Sequence, residues 1–341
     1  MILAIIACLV MPIGAVEFTA PTAPDSVQGL VPIEPESFGQ GLWSIVKTAL
    51  QGIRPDIVDA LEICLSLIAV VMLASVLNTF PGKSKAVIKF ACVLSIGMLL
   101  LGQTNTMVHL CADTVTELSE YGKLLLPVMT GALAAQGGTT GASALYLGTM
   151  VFDTFLGSLI GNLLVPMVYL FLAMAIANAA TGESLVKKIG DFIKWLMTWG
   201  LKIALYVFTG YMSITGVITG TADAAAVKAA KLAISGAVPV VGGILSDASE
   251  TVILSAGLMK SAVGVYGLLV VTAIWITPFI RIGIQYLALK LTAAICSTFG
   301  VKEASDLIED FSGTMGLLLG MTGTVSFLLL ISTICFMKGM G

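Results

Sequence analysis

Long apolar runs recur along this chain and leave few choices of fold. Residues 60–80, 86–108 and 315–336 are almost free of charge, and a helix needs about 20 such residues to cross the hydrocarbon core of a bilayer. Of the 341 residues, 57% are hydrophobic and only 11% are charged, whereas a soluble domain carries about 25% charged residues. This composition excludes a soluble globular enzyme and a disordered chain. We predict an all-α, polytopic integral membrane helix bundle.

Three regions follow from the distribution of polar residues. An apolar run that ends in small residues predicts a signal peptide or N-terminal anchor at residues 1–16, although no Lys or Arg precedes it. Prolines alternate with acids after it and lead into an amphipathic stretch with Trp43 as an anchor. We expect an extracytoplasmic segment and an interfacial helix at residues 17–59. The multi-pass membrane domain then covers residues 60–341.

The loop between the first two spans carries the clearest topology signal. It holds Lys83 and Lys85 with no acid beside them, and loops rich in Lys and Arg stay in the cytoplasm. Residues 17–59 and 109–123 are therefore expected outside, the latter as a short acidic amphipathic helix.

The apolar stretch at residues 142–180 is too long for one crossing. At 1.5 Å per residue it is nearly twice as long as a bilayer core is thick, and Asn162 with Pro166 marks the expected break into two spans. The remaining predicted spans are residues 195–220, 253–279, 280–299 and 315–336.

Two segments combine proline with clustered glycines and predict interrupted, re-entrant helices. They resemble each other, because Pro127 to Leu133 aligns with Pro239 to Leu245 at an offset of 112 residues. A possible internal tandem repeat follows, with chance similarity as the alternative. Element order favours parallel repeats and the loop charges favour inverted ones. Transporters build pathways between such repeats, whereas small residues also serve close helix packing.

The candidate residues of a pathway or gate come from these segments and from the charged groups near them. They are Pro127, Gly131, Gly137, Gly138, Asp153, Pro239, Gly242, Gly243, Asp247, Glu250 and Lys260.

Asp153 stands alone within an apolar run, which is costly unless the carboxyl is paired or lines a polar path. We weigh a pathway role equally against a buried ion pair with Lys202 or Lys290. His109 is the single histidine, so no histidine-based catalytic or metal cluster can form. No phosphate-binding loop and no basic patch are present. We expect no enzyme activity, cofactor, metal or nucleic-acid partner, and an energy source supplied by a partner or an ion gradient.

The stretch GAVPVVGGILSDASETVI at residues 236–253, followed by LMKSAVG with Lys260, resembles the stage III sporulation protein AE family. Residues 228–232, KAAKL, fit the same family, and the resemblance covers about residues 60–338. It implies a multi-pass component of a secretion-like channel complex in the mother-cell membrane around the forespore. The partners it implies are other stage III sporulation membrane proteins and their ATPase.

Three functions remain open from the sequence. The first is a permease-like part of that sporulation channel, embedded in the lipid bilayer and without chemistry of its own. The second is an autonomous ion- or solute-coupled secondary transporter that uses Asp153. The third is a structural membrane scaffold.

Overall fold

The computed structural model describes residues 20–32, 38–79, 85–135, 139–214 and 262–339. All regular structure in these ranges is helical, which confirms the predicted all-α bundle. The helices are α1 Phe38–Gln51, α2 Arg54–Asn78, α3 Lys85–Ala135, α4 Thr139–Leu159, α5 Val165–Thr181, α6 Ser184–Ile214, α7 Ala262–Ser297 and α8 Lys302–Gly339, with a π-helical turn, Ile160–Leu164, between α4 and α5.

Five stretches in the described part are long and apolar enough to cross a membrane. They are Arg54–Asn78, Ala86–Ala134, Ala142–Thr181, Val263–Ser297 and Lys302–Met337. Helix α6 is not among them, and residues 215–220 of the span predicted there lie outside the described residues.

Helix α3 is longer than the sequence predicts. Its 51 residues include the segment 109–123, which was expected to be a separate helix. That expectation was wrong because acidic side chains do not end a helix when they lie on its exposed face, while Cys111, Val115 and Leu118 bury the other face. Pro127 lies inside the same helix; the break expected after it concerns residues 136–141, and of these residues 136–138 lie outside the described ranges, between the end of α3 at Ala135 and the start of α4 at Thr139.

The predicted division of residues 142–180 into two spans is also wrong. Helices α4 and α5 are joined through the π-helical turn, in which the Val165 N–H bonds to the Ile160 carbonyl. Pro166 has no N–H and its ring crowds the preceding turn. The wider turn accommodates it without ending the helix.

Two further helix boundaries differ from the prediction. Pro278 lies inside α7, so the junction expected at residues 279–280 is a continuous helix. The acidic segment at residues 302–310 forms the first turns of α8. One proline removes one hydrogen bond, and neighbouring helices hold the rest of the segment in place.

Two turns lie together at one end of the bundle. Gly182 and Gly300 both have positive φ, 73° and 76°, and helices α6 and α8 begin two residues after them. Lys89 joins these turns: its amine lies 3.8 Å from where a Cβ on Gly182 would stand, and it pairs with Glu303 at 2.9 Å. We call this the proximal end of the bundle and the opposite end the distal end.

The directions of α6 and α8 bear on the relative orientation of the two halves of the possible repeat. Helices α6 and α8 start at the same end and run in the same direction, with the Lys194 amine 2.8 Å from a Cβ position on Gly313. This contradicts the inverted arrangement that the loop charges favoured and agrees with the parallel one. The duplication itself stays a prediction.

Helix α8 is the centre of the bundle. It packs against α3, α4, α5, α6 and α7, while α1 and α2 lie on α7 from outside. Phe311, Leu318, Val325 and Phe336 of α8 are fully buried. A helix that is apolar over most of its length is either a core helix or a membrane span, and the contacts of α8 with five other helices show that it is the core helix.

Candidate functional site

Asp153 lies in α4 on the face that meets α3. Its side chain is fully buried, and its Oδ1 accepts a hydrogen bond from the Ser119 hydroxyl at 3.2 Å. Its Oδ2 has no hydrogen-bond partner among the described residues. A buried carboxyl with an unsatisfied oxygen carries a free-energy cost, and such a group marks a functional site more often than a packing site.

The ion pair proposed for Asp153 is not formed. Lys290 pairs with Glu309, and the ion pairs of the described chain place neither Lys290 nor Lys202 on Asp153. Lys123, one turn along α3 from Ser119, is the cation whose charge acts on this carboxyl.

A second buried hydrogen bond lies one turn away on the same face of α4. The Thr149 hydroxyl donates to the Ser332 hydroxyl of α8 at 2.9 Å. Residues four apart on a helix lie above one another, so the two bonds form one polar seam between α3, α4 and α8. We call Ser119, Thr149, Asp153 and Ser332 the polar cluster.

Small residues bring the three helices close at this cluster. A Cβ on Gly122 would stand 2.8 Å from a methyl of Leu329, and one on Gly157 would stand 3.3 Å from the Ser119 hydroxyl. Close backbone approach of this kind is how membrane helices associate. The site is therefore a tightly packed polar interior and not an open groove.

Sequence reasoning found Asp153 but missed its partners. The signal was present in part, because Thr149 and Asp153 are four residues apart in an apolar run. Nothing in the sequence connects Ser332 with residues almost 200 positions earlier.

Of the other predicted pathway residues, the structure describes only Pro127 and Gly131. Pro127 is exposed on α3 and Gly131 is half-buried near its end. Neither residue forms the hydrogen bond to Asp153, which comes from Ser119. The residues that lie outside the described ranges are Gly137, Gly138, Pro239, Gly242, Gly243, Asp247, Glu250 and Lys260. The expected approach of the two interrupted segments therefore stays a prediction.

No metal-binding set assembles in the described residues. Groups of three or more His, Cys, Asp or Glu placed to hold a metal ion are absent from this part of the chain, and His109 is exposed on α3.

Five apolar stretches of the described chain are long enough to span a bilayer, and one of them, the buried helix α8, lies at the centre of the bundle; this defines a polytopic α-helical membrane protein. The interior carries a buried acid that accepts a hydrogen bond from the Ser119 hydroxyl.

Comparison with known proteins gives the family. The family model described as stage III sporulation protein AE matches residues 32–341, and the chain belongs to this family. Stage III sporulation protein AE of Bacillus subtilis (strain 168) is 22% identical over 263 residues, which cover 77% of this chain and 66% of that relative. No solved structure matches. The homology gives this membrane protein a role in sporulation.

Proposed function

We propose that this chain is the permease-like, multi-pass component of a sporulation channel in the mother-cell membrane around the forespore. It acts with other stage III sporulation membrane proteins and an ATPase. The observation that supports the proposal most is the buried polar cluster between three apolar helices, because a buried carboxyl with an unsatisfied oxygen costs free energy that apolar helix packing does not require.

The dependence on partners follows from what the chain itself contains. Its sequence has no nucleotide-binding loop, so an ATP-driven step needs a second protein. The tight packing at Gly122 and Gly157 means that a path past the cluster requires the helices to move apart, and a partner can supply that energy.

The interrupted segments belong to the same proposal. Residues 127–141 and 236–250 approach each other inside the bundle and line the pathway or its gate. Irregular backbone buried inside a bundle is tolerated only where protein or water satisfies its polar groups. Gly138→Leu and Gly243→Leu then block sporulation at normal protein level.

An autonomous transporter is the second candidate, and the unpartnered Oδ2 of Asp153 favours it. Purified chain in liposomes separates the two functions with proton flux as the probe, measured by an enclosed pH dye. The channel component gives no flux alone. Flux by the chain alone that disappears in Asp153→Asn supports the transporter instead.

The direct test of the channel proposal is crosslinking in sporulating cells. A photoreactive residue at Asp113, exposed on the water-facing side of α3, is compared with one at the buried Leu318 of α8. We expect stage III sporulation proteins in the products from position 113 and only intramolecular products from position 318. Absence of such partners from several exposed positions, together with normal sporulation, contradicts the proposal and supports a protein that works alone.

A further inference from the structure

The exposed large apolar side chains are concentrated near the proximal end. On α2 and α3 they are Ile57, Val58, Leu61, Leu65, Met72, Leu73, Val76, Leu77, Val87, Phe90, Leu94, Met98, Leu99 and Leu101. On the π-helical turn and on α5, α6 and α7 they are Leu163, Tyr169, Leu170, Leu185, Ile189, Phe192, Trp195, Leu196, Trp199, Ile203, Tyr206, Val207, Leu287, Leu291 and Ile295. We call these residues the apolar belt.

The belt has the height of a bilayer core. At 1.5 Å per residue from the proximal end, it reaches roughly 32 Å on α2 at Ile57, about 24 Å on α3 at Leu101 and about 35 Å on α6 at Val207. The hydrocarbon core of a bilayer is about 30 Å thick.

Charged and aromatic groups follow the borders of the belt. Lys89 pairs with Glu303 near the proximal border, and Arg281 pairs with Asp56 at 3.3 Å near the other. Lys290 lies inside the belt, about 10 Å from its proximal border at 1.5 Å per residue. Its charge is neutralised by the ion pair with Glu309.

On α6 the exposed side chains change in the order expected from headgroups to hydrocarbon. Lys187 and Lys188 come first, the stacked rings of Phe192 and Trp195 follow at 5.9 Å, and Ile203 lies beyond them. Lysines and aromatic rings of this kind lie at membrane–water interfaces.

The distal part of the bundle has a different surface. Its exposed large apolar side chains among the described residues are Leu124, Leu147, Val151 and Phe155, together with Trp43 and Leu50 of α1, which precedes the distal start of α2. The exposed face of α3 there carries His109, Asp113, Glu120 and Lys123. The distal parts of α7 and α8 are covered by other helices and expose no large apolar side chain in the described ranges.

We propose that the bilayer encloses only the apolar belt and that the distal part of the bundle projects into water. Asp153, 28 positions before the end of α5, stands roughly 42 Å from the proximal end at 1.5 Å per residue, beyond the belt. The polar cluster therefore lies in the projecting part, on the side where the hydroxyl of Ser26 bonds to Glu117. This placement does not rest on the proposed channel function.

Matched surface positions test the placement in nanodiscs. Single cysteines replace Leu65 and Met98 of the belt and Leu124 and Val151 of the distal part, whose exposed fractions are 66%, 77%, 58% and 64%. Each is labelled with bimane, and the parent protein, in which the five described cysteines are buried, provides the background. Nanodiscs leave both membrane faces in water, so the result is independent of topology.

We expect nitroxide-labelled lipid to quench the Leu65→Cys and Met98→Cys labels several-fold more than the distal ones. Iodide in solution should give the reverse order. Equal lipid quenching at Leu124→Cys and Val151→Cys overturns the placement, because these positions then contact acyl chains.

A second measurement needs no label. Lysine at position 124 or 151 should leave the yield of folded protein at the parent level, since the side chain enters water. Lysine at position 65 or 98 should lower that yield several-fold, because a charge inside the hydrocarbon core is costly. A yield that falls equally for all four variants contradicts the proposal.

Discussion

Single residues decide how closely the helices of this bundle approach. The clearest case is Gly148 of α4, where a Cβ would stand 2.0 Å from the ring of Tyr211. The same tyrosine donates a hydrogen bond to the Ala144 carbonyl at 2.8 Å, so its ring cannot move away without losing that bond. The contact between α4 and α6 therefore requires a residue without a side chain at position 148.

Gly148→Ala should destabilise the protein by about 1–3 kcal/mol, the usual cost of forcing extra atoms into a packed interior. The control is Gly102→Ala in α3, where nothing lies within 4 Å of the new Cβ and alanine favours the helix by about 1 kcal/mol. Thermal unfolding in detergent gives both values. Equal stability of the two variants would show that Tyr211 is not packed as described.

Ser119 is expected to stabilise the fold through Asp153. Ser119→Ala removes the hydroxyl that binds the carboxyl, and leaving a buried polar group without its partner costs about 1–3 kcal/mol. Ser95→Ala is the matched change, since Ser95 is exposed and bonds only to the Ala91 carbonyl of its own helix. The melting temperature should fall for Ser119→Ala and stay near the parent value for Ser95→Ala. The reverse order contradicts the cluster geometry.

At the scale of elements, the turns at Gly182 and Gly300 fix the order of the helices. Their positive φ values cost an L-residue about 1–2 kcal/mol. Gly182→Ala and Gly300→Ala should therefore each lower stability by roughly 1 kcal/mol. Gly283→Ala inside α7, which meets nothing within 4 Å, should not. A neutral result at both turns would mean that the α5–α6 and α7–α8 connections take another conformation.

The sequence predicted the helical class and most helix positions, because apolar runs of spanning length are visible locally. It could not predict that α3, α4–α5 and α7 continue through Pro127, Pro166 and Pro278. Whether a proline ends a helix depends on which neighbours satisfy the freed carbonyl, and that is a tertiary property. The polar cluster could not be predicted for the same reason: Ser119 meets Asp153, and Ser332 meets Thr149, only after three helices pack together.

At the scale of the whole molecule, the proximal turns share one side with the start of α3, which begins at Lys85 and carries Lys89. The positive-inside rule places that side in the cytoplasm. Lys187→Cys at the start of α6 should then be protected from an impermeant maleimide in intact cells, while Asp113→Cys on distal α3 is labelled. Both side chains are exposed, so access depends on sidedness alone. The opposite labelling pattern would reverse the topology without changing the fold.

The polar cluster is central to the proposed function, because it contains Asp153. Helix packing alone does not require a buried acid at this position. Asp153→Asn keeps the size and one hydrogen-bonding oxygen of the side chain but removes its charge, so the bundle should still assemble. Asp113→Asn is the matched control, since Asp113 is an exposed acid on α3.

The decisive measurement is spore yield per unit of accumulated protein in cells that carry each variant as the sole copy. The account predicts that Asp153→Asn accumulates at the parent level, keeps its crosslinked partners and sharply lowers spore yield. Asp113→Asn should sporulate normally. Normal spore yield for Asp153→Asn at normal protein level would contradict a functional role for the cluster and leave it as helix packing.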